Sequence, residues 1–289
     1  MSPTGLSIFD LRPGKVLLDR YEILRPHRDT GIAATFAVND AESTERRELQ
    51  VFPAGLFEDA RQAGEFAERL TTWKDLDAPA FPGVIDVKAF DDGSVLYVST
   101  FPKGQSLRSW SQENPRMEER EVVDLGRHLL QGLVAAHDGG LIHGDIKPSA
   151  IYFRPGEGEG EMLDAGITPA MWAAKHLGTR TALIGTPFYA PIEQFTGDSP
   201  DELSDLYNLA TVMYELLTGV LPWSGKGYIE VFQSKMQKTP PKMSIRAPGI
   251  EVNQTLEAVI SGGLRAVRSE RHPSAGTFLE RLEAIDLDD

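Results

Sequence analysis

The periodicity of the apolar residues changes character once along this chain, near residues 100–104, and that change constrains the fold more than any other feature. Before it, the short runs Tyr21-Glu22-Ile23-Leu24, Thr35-Phe36-Ala37-Val38 and Leu49-Gln50-Val51-Phe52 read as strands, with Asp29-Thr30-Gly31 and Asn39-Asp40 as turns. Ala63, Phe66, Ala67, Leu70 and Trp73 then recur at helical spacing, and strands resume at 84–87 and 95–99 across the turn Asp91-Asp92-Gly93. After it the stripes are helical. Val122, Leu125, Leu129, Leu130, Leu133 and Val134 share one face, and 206–217 is apolar nearly all round, as a buried helix is. Two further stripes follow: Leu256, Val259, Ile260, Leu264 and Val267, then Phe278, Leu279, Leu282 and Ile285. The expected class is α+β, with a small β-rich lobe over residues 20–100 and a larger helical lobe over 101–285. Residues 1–19 form an N-terminal extension and 286–289 a tail.

Composition narrows the chemistry. A net charge of -14, from 29 Lys+Arg against 43 Asp+Glu, repels a phosphate backbone, and no basic stripe offsets it, so nucleic acid is not expected as a partner. The absence of cysteine excludes disulfides and thiolate metal sites and fits a reducing, cytoplasmic setting. No basic region leads into an apolar run at the N-terminus, and no uninterrupted apolar stretch reaches ~18 residues, so no membrane contact is expected from this segment. The six histidines lack metal-ligand spacing. Gly219 to Lys226 is too long for a phosphate loop and lacks the following Ser or Thr, and no G-x-S-x-G is present. The acidic run at 156–161 reads as a solvated hairpin tip.

The reactive signal is His143-Gly144-Asp145-Ile146-Lys147-Pro148-Ser149, between a helical stripe and the strand-like Ile151-Tyr152-Phe153. Asp145 and Lys147, two apart on a loop, put a carboxylate and an ammonium in one spot. That pairing suits taking a proton from a hydroxyl while neutralising a phosphoryl group. Further on, Leu163-Asp164-Ala165-Gly166 sets an acid at a strand end before a flexible glycine, and such an acid holds Mg²⁺ through oxygen. Taken singly, each Asp also reads as an ordinary turn former.

Together these runs resemble the eukaryotic-like Ser/Thr protein kinases of bacteria over about residues 20–285. Residues 143–149 resemble the catalytic loop, and Asp164-Ala165-Gly166 the Mg²⁺-binding Asp-Phe-Gly with Phe changed to Ala. The run at 185–194 resembles the end of the activation segment, with Pro191-Ile192-Glu193 in place of Ala-Pro-Glu and Thr186 in the Thr-preferring context. Ser204-Asp205-Leu206 resembles the start of the central buried helix, and Arg271-His272-Pro273 the closing motif. The resemblance implies that Arg271 pairs with Glu193 and that Asp205 holds the backbone of the catalytic loop. It implies Asp145 and Lys147 as catalytic residues, Asp164 as the metal residue, and ATP with Mg²⁺ as cofactors. Arg28, Gly31, Ala33, Gln50, Thr100 and Phe101 then border the nucleotide.

Several of those positions depart from the pattern. Arg28, Thr30 and Ala33 stand where the phosphate-covering loop has glycines, and Asp29 adds negative charge there. Gln50 replaces the phosphate-gripping Lys of the strand Arg47-Glu48-Leu49-Gln50, and its helix partner is Glu65 or Glu68. Ala150 replaces the Asn that ligates a second Mg²⁺, and Gly144 replaces the Arg that answers a phosphorylated segment. Arg28 is the nearest cation to stand in for the missing Lys. Weak or absent ATP and Mg²⁺ binding follows, and with it a pseudokinase that engages a protein partner or an active kinase. An ATP-dependent Ser/Thr protein kinase with a rearranged nucleotide site is the alternative.

Overall fold

Alternation along the first strands gives the sheet two unlike faces. A computed structural model of the protein describes residues 5–6, 10–175, 187–237 and 239–287. Its first unit, Met1–Asp77 with Pro82–Pro102 and Ala170–His176, carries six strands. These are β1 (Val16–Leu17), β2 (Tyr21–Asp29), β3 (Ala34–Asp40), β4 (Arg46–Phe52), β5 (Val84–Ala89) and β6 (Val95–Thr100), in the order β1-β2-β3-β4-β6-β5 and antiparallel throughout. Phe36, Val38, Leu49, Val51, Leu96 and Val98 point to one face and build the core with Tyr21 and Ile23. Their strand neighbours Thr35, Ala37, Glu48, Gln50, Tyr97 and Ser99 necessarily point to the other. On this second face Phe52 meets Phe66 of helix α1 (Ala60–Thr71) edge-on, with ring centroids 4.9 Å apart. Asp59 caps α1 by accepting the Gln62 N–H at 2.8 Å. Strand β2 carries Pro26 opposite Phe36, with register shifts on both sides, between Ile23 and Arg25 and between Pro26 and Asp29.

The second unit, Ala78–Phe81 with Lys103–Pro169 and Leu177–Asp289, is mostly helical. A three-stranded sheet, β7 (Gln105–Ser106), β8 (Ile151–Phe153) and β9 (Gly160–Met162), lies beside α2 (Leu107–Glu113) and α3 (Glu119–Asp138). Helix α4 (Ile167–Ala174) begins in this unit, and from Ala170 its residues belong to the first; then come α5 (Ile192–Phe195), α6 (Glu202–Thr218), α7 (Tyr228–Lys235), α8 (Met243–Arg246), α9 (Gln254–Gly263) and α10 (Ala275–Glu283). Helix α6 is buried along nearly its whole length, and Asp201 and Ser204 close a reciprocal capping box at its start. Helix α10 packs on α3, and α9 on α6. Gly126 on α3 lets α6 approach, since a Cβ there would lie 2.7 Å from the Met213 methyl.

Two expectations need amendment. The stripe ending at Val267 is cut short: α9 stops at Gly263, Leu264 is buried beyond it, and Val267 is 42% exposed. Helix α4 shows no stripe in sequence because Ile-Thr-Pro-Ala-Met-Trp-Ala-Ala is apolar almost all round. Its Pro169 sits in the first turn, where a missing N–H costs nothing. The Gly185 and Thr186 part of the segment-end motif lies outside the described residues. Among the described residues no helix is long and apolar enough to cross a membrane.

The expected ion pair is present and buried. Arg271 donates to both Glu193 oxygens, at 2.6 and 2.8 Å, tying α5 to the segment before α10. Arg271→Ala leaves the Glu193 carboxylate buried and alone, and should cost about 3–5 kcal/mol. Urea unfolding of the variant checks this, and a midpoint equal to the parent's would contradict it.

Candidate active site

The polar face of the first unit's sheet carries a buried charge cluster centred on Glu48. Register places Glu48 opposite Ala37 on β3 and Ser99 on β6, and Gln50 opposite Thr35 and Tyr97, so the two side chains share one face. Glu48 is 1% exposed. Arg28 at the end of β2 grips it with two prongs, Nε to Oε1 at 2.7 Å and Nη2 to Oε2 at 2.9 Å. The His27 ring contributes Nδ1 at 2.7 Å from the same Oε1. The His27 ring lies against Phe101, centroids 4.6 Å apart and planes tilted by 34°, while the Arg46 guanidinium lies 5.5 Å from that ring. Thr100 closes the strand end, its hydroxyl accepting the Gly83 N–H at 3.0 Å. The Arg28 fork is thus engaged by a carboxylate of its own sheet. Beside Gln50 the face carries an acid whose charge is already answered.

The turn between β2 and β3 is closed by its own side chains. The Gly31 N–H donates to Asp29 Oδ1 at 2.8 Å, and the Ala33 N–H to Thr30 Oγ1 at 3.0 Å. Backbone N–H groups are what a phosphate-covering loop offers its ligand, and these two are taken. Gly31 alone holds a left-handed backbone in this turn, at φ 78°. On α1, Glu65 meets Arg61 at the surface and Glu68 is exposed, whereas the buried polar side chain is Gln62, at 3% exposure.

In the second unit the structure brings Asp145, Lys147 and Asp164 together. The Lys147 ammonium contacts Asp145 Oδ2. The loop that carries them is fixed from α6, where Asp205 accepts the His143 N–H at 2.9 Å and the Gly144 N–H at 2.7 Å. Asp164 is brought alongside by two backbone bonds, Leu163 N–H to Ala150 O at 2.7 Å and Gly166 N–H to His143 O at 3.1 Å. Its own backbone is left-handed, φ 65°, a conformation Asp tolerates at a cost of about 1–2 kcal/mol. Burial pushes the Asp145 carboxyl up, opposed by Lys147 and reinforced by the nearby Asp164 charge. A raised carboxyl beside an ammonium has the make-up of a general base.

The donor set for Mg²⁺ is thin. Asp164 offers carboxylate oxygen, Asp145 is engaged with Lys147, and Ala150 is a buried methyl. Among the described residues no group of three or more His, Cys, Asp or Glu is placed to hold a metal ion. These residues do not fit a pair of magnesium ions. The acidic tip at 156–161 is no metal site either, since Arg154 answers Glu157 at 2.8 Å and Glu159 at 3.3 Å. At Gly144 the backbone has φ 85°, and a Cβ would lie 2.5 Å from Cδ of Pro169 in the first turn of α4. No side chain fits at that position, least of all an arginine.

With the fold and these motifs in place, the comparisons agree. The profile described as "Protein kinase domain" matches residues 72–281, and the chain belongs to that family. It is similar to "Serine/threonine-protein kinase pkn3" of Myxococcus xanthus, 26% identical over 94% of this chain and 51% of that protein. It is also similar to "Serine/threonine-protein kinase PknB" of Mycobacterium tuberculosis, 28% identical over 93% of this chain and 43% of that one. The chain thus spans about half or less of these curated relatives. Among solved structures, the kinase domain of Mycobacterium tuberculosis PknI matches with a TM-score of 0.72 at 20% identity, over 94% of this chain and 98% of that one. A structure of Rad53 with AMP-PNP matches at 0.73 and 16% identity, over 91% and 64%. At these identities the likeness is one of fold.

Sequence reasoning missed Glu48 and His27. A charged residue in the middle of the strand 46–52 was the available signal for Glu48. His27 carries no motif.

Burial pushes the imidazole of His143 below its ordinary value, and burial likewise outweighs the Val259 carbonyl bond at His272. The unfolded chain takes up protons as pH falls through about 6.5, and the folded chain resists, so stability declines below that pH. Urea midpoints should fall between about pH 7.5 and about pH 5, and His272→Gln should flatten part of that slope. An unchanged midpoint across that range would contradict the assignment.

Proposed function

We propose that this chain is a pseudokinase: a kinase-fold module with an impaired nucleotide site that acts in Ser/Thr phospho-signalling by engaging a protein partner or an active kinase. In this reading residues 20–100 and 101–285 are the two lobes of the domain, flanked by 1–19 and 286–289. The single observation that carries it is the two-pronged grip of Arg28 on Glu48, with His27 beside it, on the face that also presents Gln50. A triphosphate needs charge from that face, and the nearest guanidinium is already paired. Two further facts support the same reading: the Gly31 and Ala33 N–H groups are bonded within their own turn, and Ala150 lacks a ligating atom. Losing one charge-stabilising contact typically costs about 100- to 1,000-fold in rate, which would turn an ordinary kinase turnover of about 1–100 s⁻¹ into a trace.

The convergence of Asp145, Lys147 and Asp164 favours a second reading, an active Ser/Thr protein kinase using ATP and Mg²⁺ with a rearranged site. Thermal unfolding with millimolar ATP and Mg²⁺ separates the two. The pseudokinase reading expects no rise in the midpoint. A clear rise, together with phosphoryl transfer abolished by Asp145→Asn, would replace it with the second. Gln50→Lys alone should restore little ATP affinity, because Ala150 still lacks a ligating atom and the Gly31 and Ala33 N–H groups stay bonded within their turn. A large recovery in ATP titrations of that variant would show that those two features are not the obstacle.

A further inference from the structure

Among the described residues, none from a helix belongs to the buried cluster on the core face of the first unit's sheet. The cluster consists of strand residues, Phe90 after β5, and leucines from the chain ahead of β2: Leu6 and Leu17, with Leu11 and Leu18 packed against it. Yet Val38, Leu49, Val51, Leu96 and Val98 on that face are fully buried. The N-terminal extension thus does for this face what α1 does for the other. It joins the two ends of the strand order. Leu17 at its near end pairs with Tyr21 of β2, whereas Leu6 at its far end meets the turn between β6 and the edge strand β5.

The two ends are held differently. At the far end the Leu6 N–H donates to Ser94 Oγ at 3.1 Å, and that hydroxyl donates to Asp92 Oδ1 at 2.6 Å. Gly5 presses so closely on the same turn that a Cβ would collide with the Asp92 carboxylate. Arg12, Pro13, Gly14, Lys15 and Val16 are exposed. At the near end the Gly14 N–H donates to Ile23 O at 2.8 Å, and the Ile23 N–H to Lys15 O at 2.9 Å. The turn that follows is closed by the Arg20 N–H on Leu17 O at 3.0 Å, and it holds both Leu18 and Asp19 at φ 54°. A left-handed backbone is disfavoured for any residue with a Cβ, and for one as bulky as Leu it is an outlier. Immediately beyond, the chain is fixed. Arg20 grips Asp40 with two prongs, at 2.7 and 2.8 Å, and its carbonyl accepts the Ala41 N–H at 3.0 Å. The strain sits between a fixed point and an arm, where a hinge would sit.

We propose that residues 5–18 are a strap that opens and closes over the core face as one piece, latched at Leu6 and hinged at Leu18 and Asp19. Closing buries leucine side chains, and opening relieves two left-handed residues. An element held by such opposed terms opens ahead of the sheet it covers. Once open, it uncovers a contiguous apolar face of the kind that marks protein contacts, so the strap decides when that face is offered. The device is independent of the nucleotide site, since Glu48 and Gln50 point to the opposite face.

Amide hydrogen exchange on the whole chain, resolved to single residues, tests it by coupling between the two ends. Asp19→Val puts a β-branched residue at positive φ and should speed exchange of the distant Leu6 amide about tenfold. Asp19→Gly should slow it. In the other direction, Ser94→Ala removes the latch acceptor and should speed exchange of the Gly14 amide several-fold. Amides of β4 should keep the parent's rates in all three variants. Leu6→Asp should hold the strap open and raise the fluorescence of an apolar dye while β-sheet circular dichroism is kept. Should Ser94→Ala or Leu6→Asp fail to fold, the two Asp19 variants, both at an exposed position, decide alone. Effects confined to the mutated end, equal acceleration of the β4 amides, or no change at Leu6 would overturn the proposal.

Discussion

One carboxylate without access to water organises the helical unit. Asp205, near the start of α6, accepts the backbone N–H groups of His143 and Gly144 and lies 3.1 Å from the His137 ring. A buried acid is tolerable only when its oxygens are satisfied, and here the donors are the loop itself. From that anchor the order propagates by backbone bonds, through His143 O to Gly166 and through Ala150 O to Leu163. Asp145, Lys147 and Asp164 thereby acquire their places without depending on any ligand. Helix α6 can serve as the foundation because it is buried along nearly its whole length and capped at its first turn.

The two units treat charge in opposite ways. In the helical unit the reactive side chains remain close to one another and partly accessible, an arrangement with evident chemical capacity. In the sheet unit the ionisable side chains have turned inward, onto one another. Arg28 and His27 both meet Glu48, and in the turn at 29–33 the Gly31 and Ala33 N–H groups are bonded to side chains of the same turn. Such a set has a stabilising logic of its own: a bidentate, nearly dry ion pair is costly to break from one side. The same pairing that satisfies these charges also stiffens the sheet face that carries them.

Much of this was legible from residues alone. The strands at 21–24, 35–38, 49–52 and 95–99 alternate cleanly, and the helices 119–138 and 202–218 carry either a one-sided stripe or an unbroken apolar surface. The Glu193–Arg271 pair and the role of Asp205 could be read because motif order places them. The Glu48 cluster could not, since it depends on which face a strand residue occupies once the register is set. Lys235 was equally hidden: buried at the end of α7, it donates to Phe188 O at 2.8 Å and to Ala190 O at 2.7 Å. Its partners are carbonyls, which have no sequence signature, and a lysine at a helix end ordinarily reads as a solvated charge. Helix α4 escaped for the reverse reason, because a uniformly apolar stretch has no period to detect.

The contact between Gly144 and Pro169 couples two positions that are 25 residues apart in the chain. Any side chain at 144 meets both the Pro169 ring and a left-handed backbone. A larger residue at 144 is therefore tolerated only together with a smaller one at 169, so the two positions can change as a pair but not one at a time.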